Sequence, residues 1–211
     1  MTNEQIENRF DLSSIKVILL DIGGVLLTNG WGHVARQAAA EAFKLDYAEM
    51  NKRHDLIFNI YEEGRVTLND YLDTILFYEP RPFSKEDFRQ CMFQQSKPLP
   101  IMLDWLIAWK AQRPHLRVFS LNNEPKDLHQ HRVDHFNLKR LYDGFVASCD
   151  VGLRKPDPKI FQMAVGIAGV QPHECLYIDD REVLVMAGRK TGLQAWQHQS
   201  VEATTAFLQT L

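Results

Sequence analysis

The 211-residue chain is short of several things that would announce a function directly. It has three cysteines, Cys91, Cys149 and Cys175, an odd number at wide spacing with no C-x-x-C pair. That excludes a disulfide framework and a thiolate zinc site, and leaves buried, reduced thiols as the expectation. Neither sign of charge dominates, because 24 Lys+Arg against 27 Asp+Glu gives −3, spread along the chain. No polyanion-binding face follows, so nucleic acid is not an expected partner. No apolar run approaches the roughly 20 residues of a spanning helix, so no membrane association is expected. The opening MTNEQIENRFDLSS lacks the basic, then apolar, then small-residue order of a secretory leader, which points to a cytoplasmic protein. A G-x-G-x-x-G loop is absent too: Gly23-Gly24 is a lone pair after an apolar run, which removes the usual nicotinamide fingerprint.

What is present is an ordinary globular composition, 45% hydrophobic and 24% charged, in a pattern that changes class along the chain. Ile15-Lys16-Val17-Ile18-Leu19-Leu20 is β-branched-rich and stops abruptly at Asp21-Ile22-Gly23-Gly24, as a buried strand does. Residues from about His33 to Gln95 then read as helix throughout, with Thr67 opening one segment and Ser84, followed by Asp87, capping another. Beyond them, helix and strand alternate: helices over 101–112, 126–136, 158–168 and 181–190, strands over 116–121, 144–148, 175–178 and 193–197, and a closing helix from Glu202. Such alternation predicts an α/β fold, a doubly wound (Rossmann-like) parallel sheet. The helical block becomes an insertion, bordered by Thr28-Asn29-Gly30-Trp31-Gly32 and Ser96-Lys97-Pro98-Leu99-Pro100. The expected organisation is a core of residues 1–29 and 98–211 carrying an all-helical cap at 30–97.

In open parallel sheets, ligands bind outside the carboxyl ends of the strands. The polar residues there are Asp21, then Asn122 and Asn123 after LRVFSL, Lys155 in the loop after GFVAS, and Asp179-Asp180 after CLYI. Asp157-Pro158 reads as a helix N-cap followed by a first-turn proline, whereas Lys155 has no such structural reason. Three acids and a lysine at one sheet edge would repel or stay hydrated unless a cation sat among them, which is the arrangement of a hard-metal phosphate site.

Taken together, Asp21-Ile22-Gly23-Gly24-Val25, Leu121-Asn122-Asn123-Glu124, Gly152-Leu153-Arg154-Lys155-Pro156-Asp157-Pro158 and Ile178-Asp179-Asp180-Arg181 resemble, in order, the motifs of the haloacid dehalogenase (HAD) superfamily. The inserted block is similar to the small helical cap of the subfamily whose cap falls between the first two motifs. The resemblance implies a nucleophilic Asp21 that forms an aspartyl-phosphate, hydrolysed in turn by water. It implies Mg²⁺ held by Asp21, the Gly23 carbonyl and Asp180 with Asp179 beside it, and Lys155 offsetting the negative charge. Asn122 falls at the usual Thr/Ser position as a phosphate donor, although a shift of one residue would put Leu121, which has no donor, there instead. Asn123, Ser120, Gly24 and Trp31 are expected on the substrate side, with Trp31 divided between substrate contact and linker packing. The expected substrate is a small phosphorylated metabolite and the expected assembly a monomer or homodimer.

One departure stands out. Phosphatases of the superfamily usually carry a second Asp two residues after the nucleophile as general acid, and here that residue is Gly23. The substrate could have a good leaving group, His33 or Glu124 could supply the proton, or turnover could be lost in favour of phospho-ligand binding. Dehalogenases also lack the second Asp, but they usually lack the acidic pair as well, so Asp179-Asp180 favours phosphoryl transfer over hydrolytic dehalogenation. On this reading, Gly23→Asp is expected to raise the rate with alkyl phosphates.

Overall fold

The structure is a computed structural model and describes residues 10–99 and 101–211. Five strands, β1 (Val17–Leu20), β2 (Arg117–Asn122), β3 (Gly144–Ala147), β4 (Cys175–Asp179) and β5 (Gln194–Gln197), form one sheet in the order β3-β2-β1-β4-β5. Every pairing is parallel. All four residues of β1 are buried, as expected for a central strand covered on both faces. Its alternate side chains feed two separate cores. Ile18 and Leu20 join Val118, Leu176 and Ile178 under Met102, Leu106 and Phe207. Val17 and Leu19 join Phe119, Leu121 and Tyr177 under Ile160, Phe161 and Val185. The sheet is therefore doubly wound. The chain runs outward from β1 through β2 to β3, then returns to the other side for β4 and β5. This reversal opens a crevice at the carboxyl ends of β1 and β4.

Between β1 and β2 lie α1 (His33–Ala42), α2 (Tyr47–Glu62), α3 (Leu68–Ile75), α4 (Lys85–Gln94) and α5 (Met102–Ala111). The first four carry their own core around Tyr71, Leu72, Phe88 and Met92. Full capping boxes start α3 (Thr67 with Asp70) and α4 (Ser84 with Asp87), satisfying amide donors that a helix start otherwise leaves unpaired. The two connecting segments pair with each other: Thr28 N–H donates to Lys97 O at 2.9 Å, and Thr28 Oγ1 both donates to Gln95 O and accepts from Lys97 N–H. The chain thus leaves and re-enters the sheet at one place.

After β2 come α6 (Lys126–His135), a short α7 (Ser148–Val151), α8 (Pro158–Ala168), α9 (Glu182–Lys190) and α10 (Val201–Leu208). Asp157 caps α8 through Lys159 N–H, with Pro158 in its first turn. The sequence pattern misses α7, reading on through Ser148 as strand. Ser148 Oγ instead donates to Glu62 O at 2.7 Å and accepts from Glu124 N–H, which turns the chain out of the sheet one residue early. Of the three thiols only Cys175 is fully buried; Cys91 and Cys149 are half-buried, and none is in a disulfide. The expectation of uniformly buried cysteines is corrected to that extent. Among the described residues, no helix is long and apolar enough to cross a membrane.

Candidate active site

The end of β1 delivers Asp21 into a buried cluster of charge. Lys155 Nζ lies 3.2 Å from Asp21 Oδ1 and 2.6 Å from Asp179 Oδ2, and donates to Leu121 O at 2.7 Å, with the lysine itself 1% exposed. Asp179 is fully committed: Tyr177 Oη donates to its Oδ2 at 2.5 Å, and Arg181 N–H donates to its Oδ1 at 2.9 Å. Asp180 differs, because its Oδ1 is buried without a hydrogen-bond partner. Carboxylate oxygens of Asp21, Asp179 and Asp180 all lie within 4.8 Å of one another.

The electrostatics follow from that crowding. Burial, added to the nearby Asp179 charge and only partly offset by Lys155, pushes Asp21 up to about 7. Burial and then Asp179 likewise raise Asp180. Asp179 moves the other way: against the penalty of burial, the Lys155 charge and its hydrogen bonds hold it below the usual carboxylate range. Hard oxygen donors with an orphaned, buried acceptor among them fit a small divalent cation, which would relieve both the crowding and the unmet acceptor. Asp21 and Asp180 are the carboxylates free to bind it, whereas Asp179 serves Lys155.

Gly24 makes the cluster possible. Its φ is +72°, and a Cβ there would lie 2.1 Å from Asp180 Oδ2, so only glycine allows Asp180 this close. Gly24 is not among the residues lining the cavity above Asp21, and its expected place on the substrate side is corrected to one of making room for Asp180. Gly24→Ala is expected to cost about 1–3 kcal/mol of unfolding free energy from strain and overpacking. It should also weaken Mg²⁺ binding, read by denaturant unfolding and by metal titration; a variant with unchanged stability and affinity would show that Asp180 moves freely.

Above Asp21 opens a cavity of about 490 Å³, lined from the sheet by Asp21, Gly23, Asn123, Glu124 and Arg181 and from the insertion by His33, Arg36, Phe58 and Glu62. Two more of the residues expected in it, Ser120 and Asn122, sit elsewhere. Register pairs Leu20 with Ser120, so one step on, Leu121 and not Ser120 or Asn122 stands level with Asp21. Leu121 packs with Leu19 and Phe119. Ser120 is fully buried, its Oγ accepting from Val146 N–H. Asn122 is 1% exposed and its amide donates to Glu124 Oε2 at 2.8 Å. The side chains of β2 thus supply no phosphate donor at the nucleophile's level. Asn123 reaches the cavity, but its amide is bonded both ways to the Lys155 backbone, donating to O and accepting from N–H, each at 2.8 Å. It sets the height of the lysine. Trp31 does both: it is among the residues lining the cavity, while its indole, 2% exposed, donates to Tyr71 Oη at 2.7 Å and meets the edge of Phe88. Tyr71 in turn bonds His54 Nδ1 at 2.7 Å, and burial drives His54 down to about 3, so its ring is neutral.

A second buried group surrounds Glu124, for which the sequence suggests a proton-donating role but not these partners. Glu124 accepts from Arg132 Nη1 and sits 3.0 Å from His129 Nδ1. Burial opposes its ionisation, but the Arg132 charge and then the His129 contacts win and lower it. Arg132 is 1% exposed and also donates to Ser96 Oγ and Thr28 O, one on each connecting segment. His129 and Arg132, three apart on α6, share a helix face, but HQHRVDHF reads from its composition as a solvated face. The histidines 131 and 135 do stay at the surface of α6, where His131 stacks on Phe93 at 4.4 Å.

Across the cavity, Arg154, the residue before Lys155, bonds Glu62 Oε2 at 2.5 Å and Asn59 Oδ1 at 2.7 Å on α2. The loop that carries the lysine therefore also holds the inserted helices over Asp21.

This architecture has known counterparts. A HAD family enzyme from Bacteroides thetaiotaomicron, solved in complex with magnesium and inorganic phosphate, superposes with a TM-score of 0.72 at 23% identity, covering 87% of this chain and 93% of that one. An L-2-haloacid dehalogenase from Xanthobacter autotrophicus superposes at 0.63 and 19% identity, covering 93% and 83%. In sequence, the chain is 25% identical to a D-ribitol-5-phosphate phosphatase of Bacteroides thetaiotaomicron over 88% of this chain and 93% of that protein. It is 28% identical to the flavin mononucleotide hydrolase 1 of Arabidopsis thaliana over 67% of this chain. Matching segments span 56% of that hydrolase, and 56% of the fructose-1-phosphate phosphatase YqaB of Escherichia coli, 27% identical over 52% of this chain. The model of the haloacid dehalogenase-like hydrolases matches residues 15–192, the stretch that contains Asp21, Lys155 and the Asp179–Asp180 pair, and the chain belongs to that family.

Proposed function

We propose that the protein is a Mg²⁺-dependent phosphatase of a small phosphorylated metabolite, working through an aspartyl-phosphate on Asp21. One observation carries the reading: the nucleophile candidate shares a buried, lysine-neutralised cluster with Asp180, whose Oδ1 accepts no hydrogen bond and has Arg181 Nε only at 4.0 Å, a setting a cation would satisfy better. Halide displacement from carbon has no use for that arrangement. Asp21 and Asp180, with the Gly23 carbonyl, would hold the metal. Bound there, it would act as a Lewis acid and screen the carboxylates from the incoming phosphate. Asp21 attacks phosphorus in line, and Lys155 keeps its carboxylate aimed and partly neutralised. With Leu121 level with the nucleophile, main-chain N–H groups of the loop after β1 are left to hold the phosphoryl oxygens. Residues 30–97 act as a cap that excludes water from the cavity. The relatives named for ribitol 5-phosphate, fructose 1-phosphate and flavin mononucleotide make esters on a hydroxylated carbon chain the first substrates to try.

The test is phosphate release from sugar and polyol phosphates, aryl phosphates and acetyl phosphate, with Mg²⁺ and with chelator. Metal removal is expected to lower the rate more than about 100-fold, the equivalent of several kcal/mol of charge stabilisation, and added Mg²⁺ should restore it. Release that survives chelation, or folded protein that binds Mg²⁺ and hydrolyses none of the panel, would count against the proposal.

A further inference from the structure

The absence of an acid at position 23 leaves the leaving-group oxygen without a proton donor, and the structure shows what occupies the vacated space. A Cβ built on Gly23 would point towards two side chains, 3.0 Å from Asn29 Oδ1 and 3.7 Å from Arg132 Nη1. Both residues line the cavity together with Asp21. Arg132 is one of the largest fully buried side chains among the described residues. Of its five N–H groups, three are used: Nε–H on Ser96 Oγ, one Nη1–H on Glu124 Oε1 and one Nη2–H on Thr28 O. Those bonds fix the guanidinium plane against the core and both connecting segments, and a second N–H on Nη1 remains on the Gly23 side. Glu124, held ionised by the same guanidinium, is a poor acid; of the two side chains against Gly23, Asn29 turns its acceptor Oδ1 to that space and Arg132 presents a charged donor there.

We propose that Arg132 stabilises the leaving-group oxygen in place of the missing acid, an inference that rests on Asp21 as nucleophile. As the Asp21 Oδ–P bond forms, the P–O bond to the leaving group breaks and its electron pair stays on that oxygen. The resulting oxyanion accepts a hydrogen bond from Arg132 Nη1–H and takes its proton from water. The hydroxide left by that transfer takes a proton from a second water as that water attacks phosphorus, the Asp21 Oδ–P bond breaks with its electron pair returning to the carboxylate, and phosphate leaves. A guanidinium offers N–H donors and no acceptor, so it acts by charge and hydrogen bonding. It is pre-oriented at no cost during the reaction. The structure also revises the expectation for Gly23→Asp: the new carboxylate would lie against Arg132 and occupy its free N–H.

The test is the leaving-group dependence of kcat/KM for 4-nitrophenyl phosphate, phenyl phosphate and glycerol 3-phosphate in wild type, Arg132→Gln, Arg132→Lys and Gly23→Asp. Losing one oxyanion donor typically costs 10²–10³-fold. Arg132→Gln is therefore expected to lose about 100-fold with phenyl phosphate and glycerol 3-phosphate but less than about 10-fold with the activated nitrophenyl ester. Arg132→Lys should fall between, and Gly23→Asp should steepen the dependence in the same sense. A purely structural arginine would lower all three substrates by one common factor, and that result overturns the proposal. So does a Gly23→Asp variant that gains rate on glycerol 3-phosphate, a measurement that stands even if the Arg132 variants fail to fold. Failure of the underlying reading looks different: wild type would hydrolyse none of the three esters, or Asp21→Asn would retain turnover.

Discussion

Asp21→Asn is expected to remove phosphate release by roughly 10⁴-fold or more, the scale on which deleting a nucleophile acts, while leaving the metal-free protein more stable than wild type above neutral pH. The two effects share one cause. Asp21 is 4% exposed, and burial with the Asp179 charge alongside pushes it up to about 7 from an ordinary 3.8. A carboxyl raised in the folded state binds its proton more tightly there than in the unfolded chain. Its contribution to stability is therefore complete below about pH 4 and is lost as pH rises through about 7. The ionised nucleophile is thus held at the expense of the fold, and the neutral amide of asparagine removes the strain together with the chemistry. Denaturant unfolding in chelator at about pH 5 and about pH 8, beside phosphate release with Mg²⁺, measures both. Wild type should lose stability between the two pH values and the variant should lose less. Retained turnover would remove Asp21 from the mechanism; an identical pH profile would show that its charge is relieved in some other way.

The charge cluster was legible in the sequence because strand ends place it. Asp21, Lys155 and Asp179–Asp180 each follow an apolar run whose termination is visible, and in a parallel sheet those ends converge whatever the exact register. The second motif was not legible to the same degree. In a strand one residue of slip exchanges the two faces, so the choice among Ser120, Leu121 and Asn122 depends on the pairing of Leu20 with Ser120. Trp31 was undecidable for a different reason. A tryptophan between glycines reads equally as substrate contact or linker packing, and its indole inserts among Tyr71 and Phe88 of the helices that follow while the residue still lines the cavity, tertiary contacts without a local signature. Arg132 was hidden by composition, since a basic, histidine-rich helix is ordinarily solvated. The pairing of the two connecting segments at Thr28 and Lys97 brings Thr28 O and Ser96 Oγ together beside Glu124 around its guanidinium.

Lys155→Met is expected to be the most destabilising single change at the site. The ammonium faces three acceptors, Asp21, Asp179 and Leu121 O, and methionine replaces it at similar volume with nothing to offer them. Breaking a buried ion pair from one side leaves an uncompensated charge and costs about 3–5 kcal/mol; here two carboxylates lose the same partner. Asp179, held below the usual range chiefly by Lys155 against its burial, loses that support and becomes free to take up a proton. The loss should therefore be largest at about pH 8 and shrink towards about pH 5, and catalysis should vanish with it because Asp21 is no longer held in place. Unfolding of Lys155→Met, Asp21→Asn and the double variant forms a cycle that isolates the pair. Asp21→Asn should recover part of the stability lost in Lys155→Met, because one of the two stranded charges is then gone. Additive effects, or a Lys155→Met protein within about 1 kcal/mol of wild type, would mean that water enters the cluster and shields the carboxylates without the lysine.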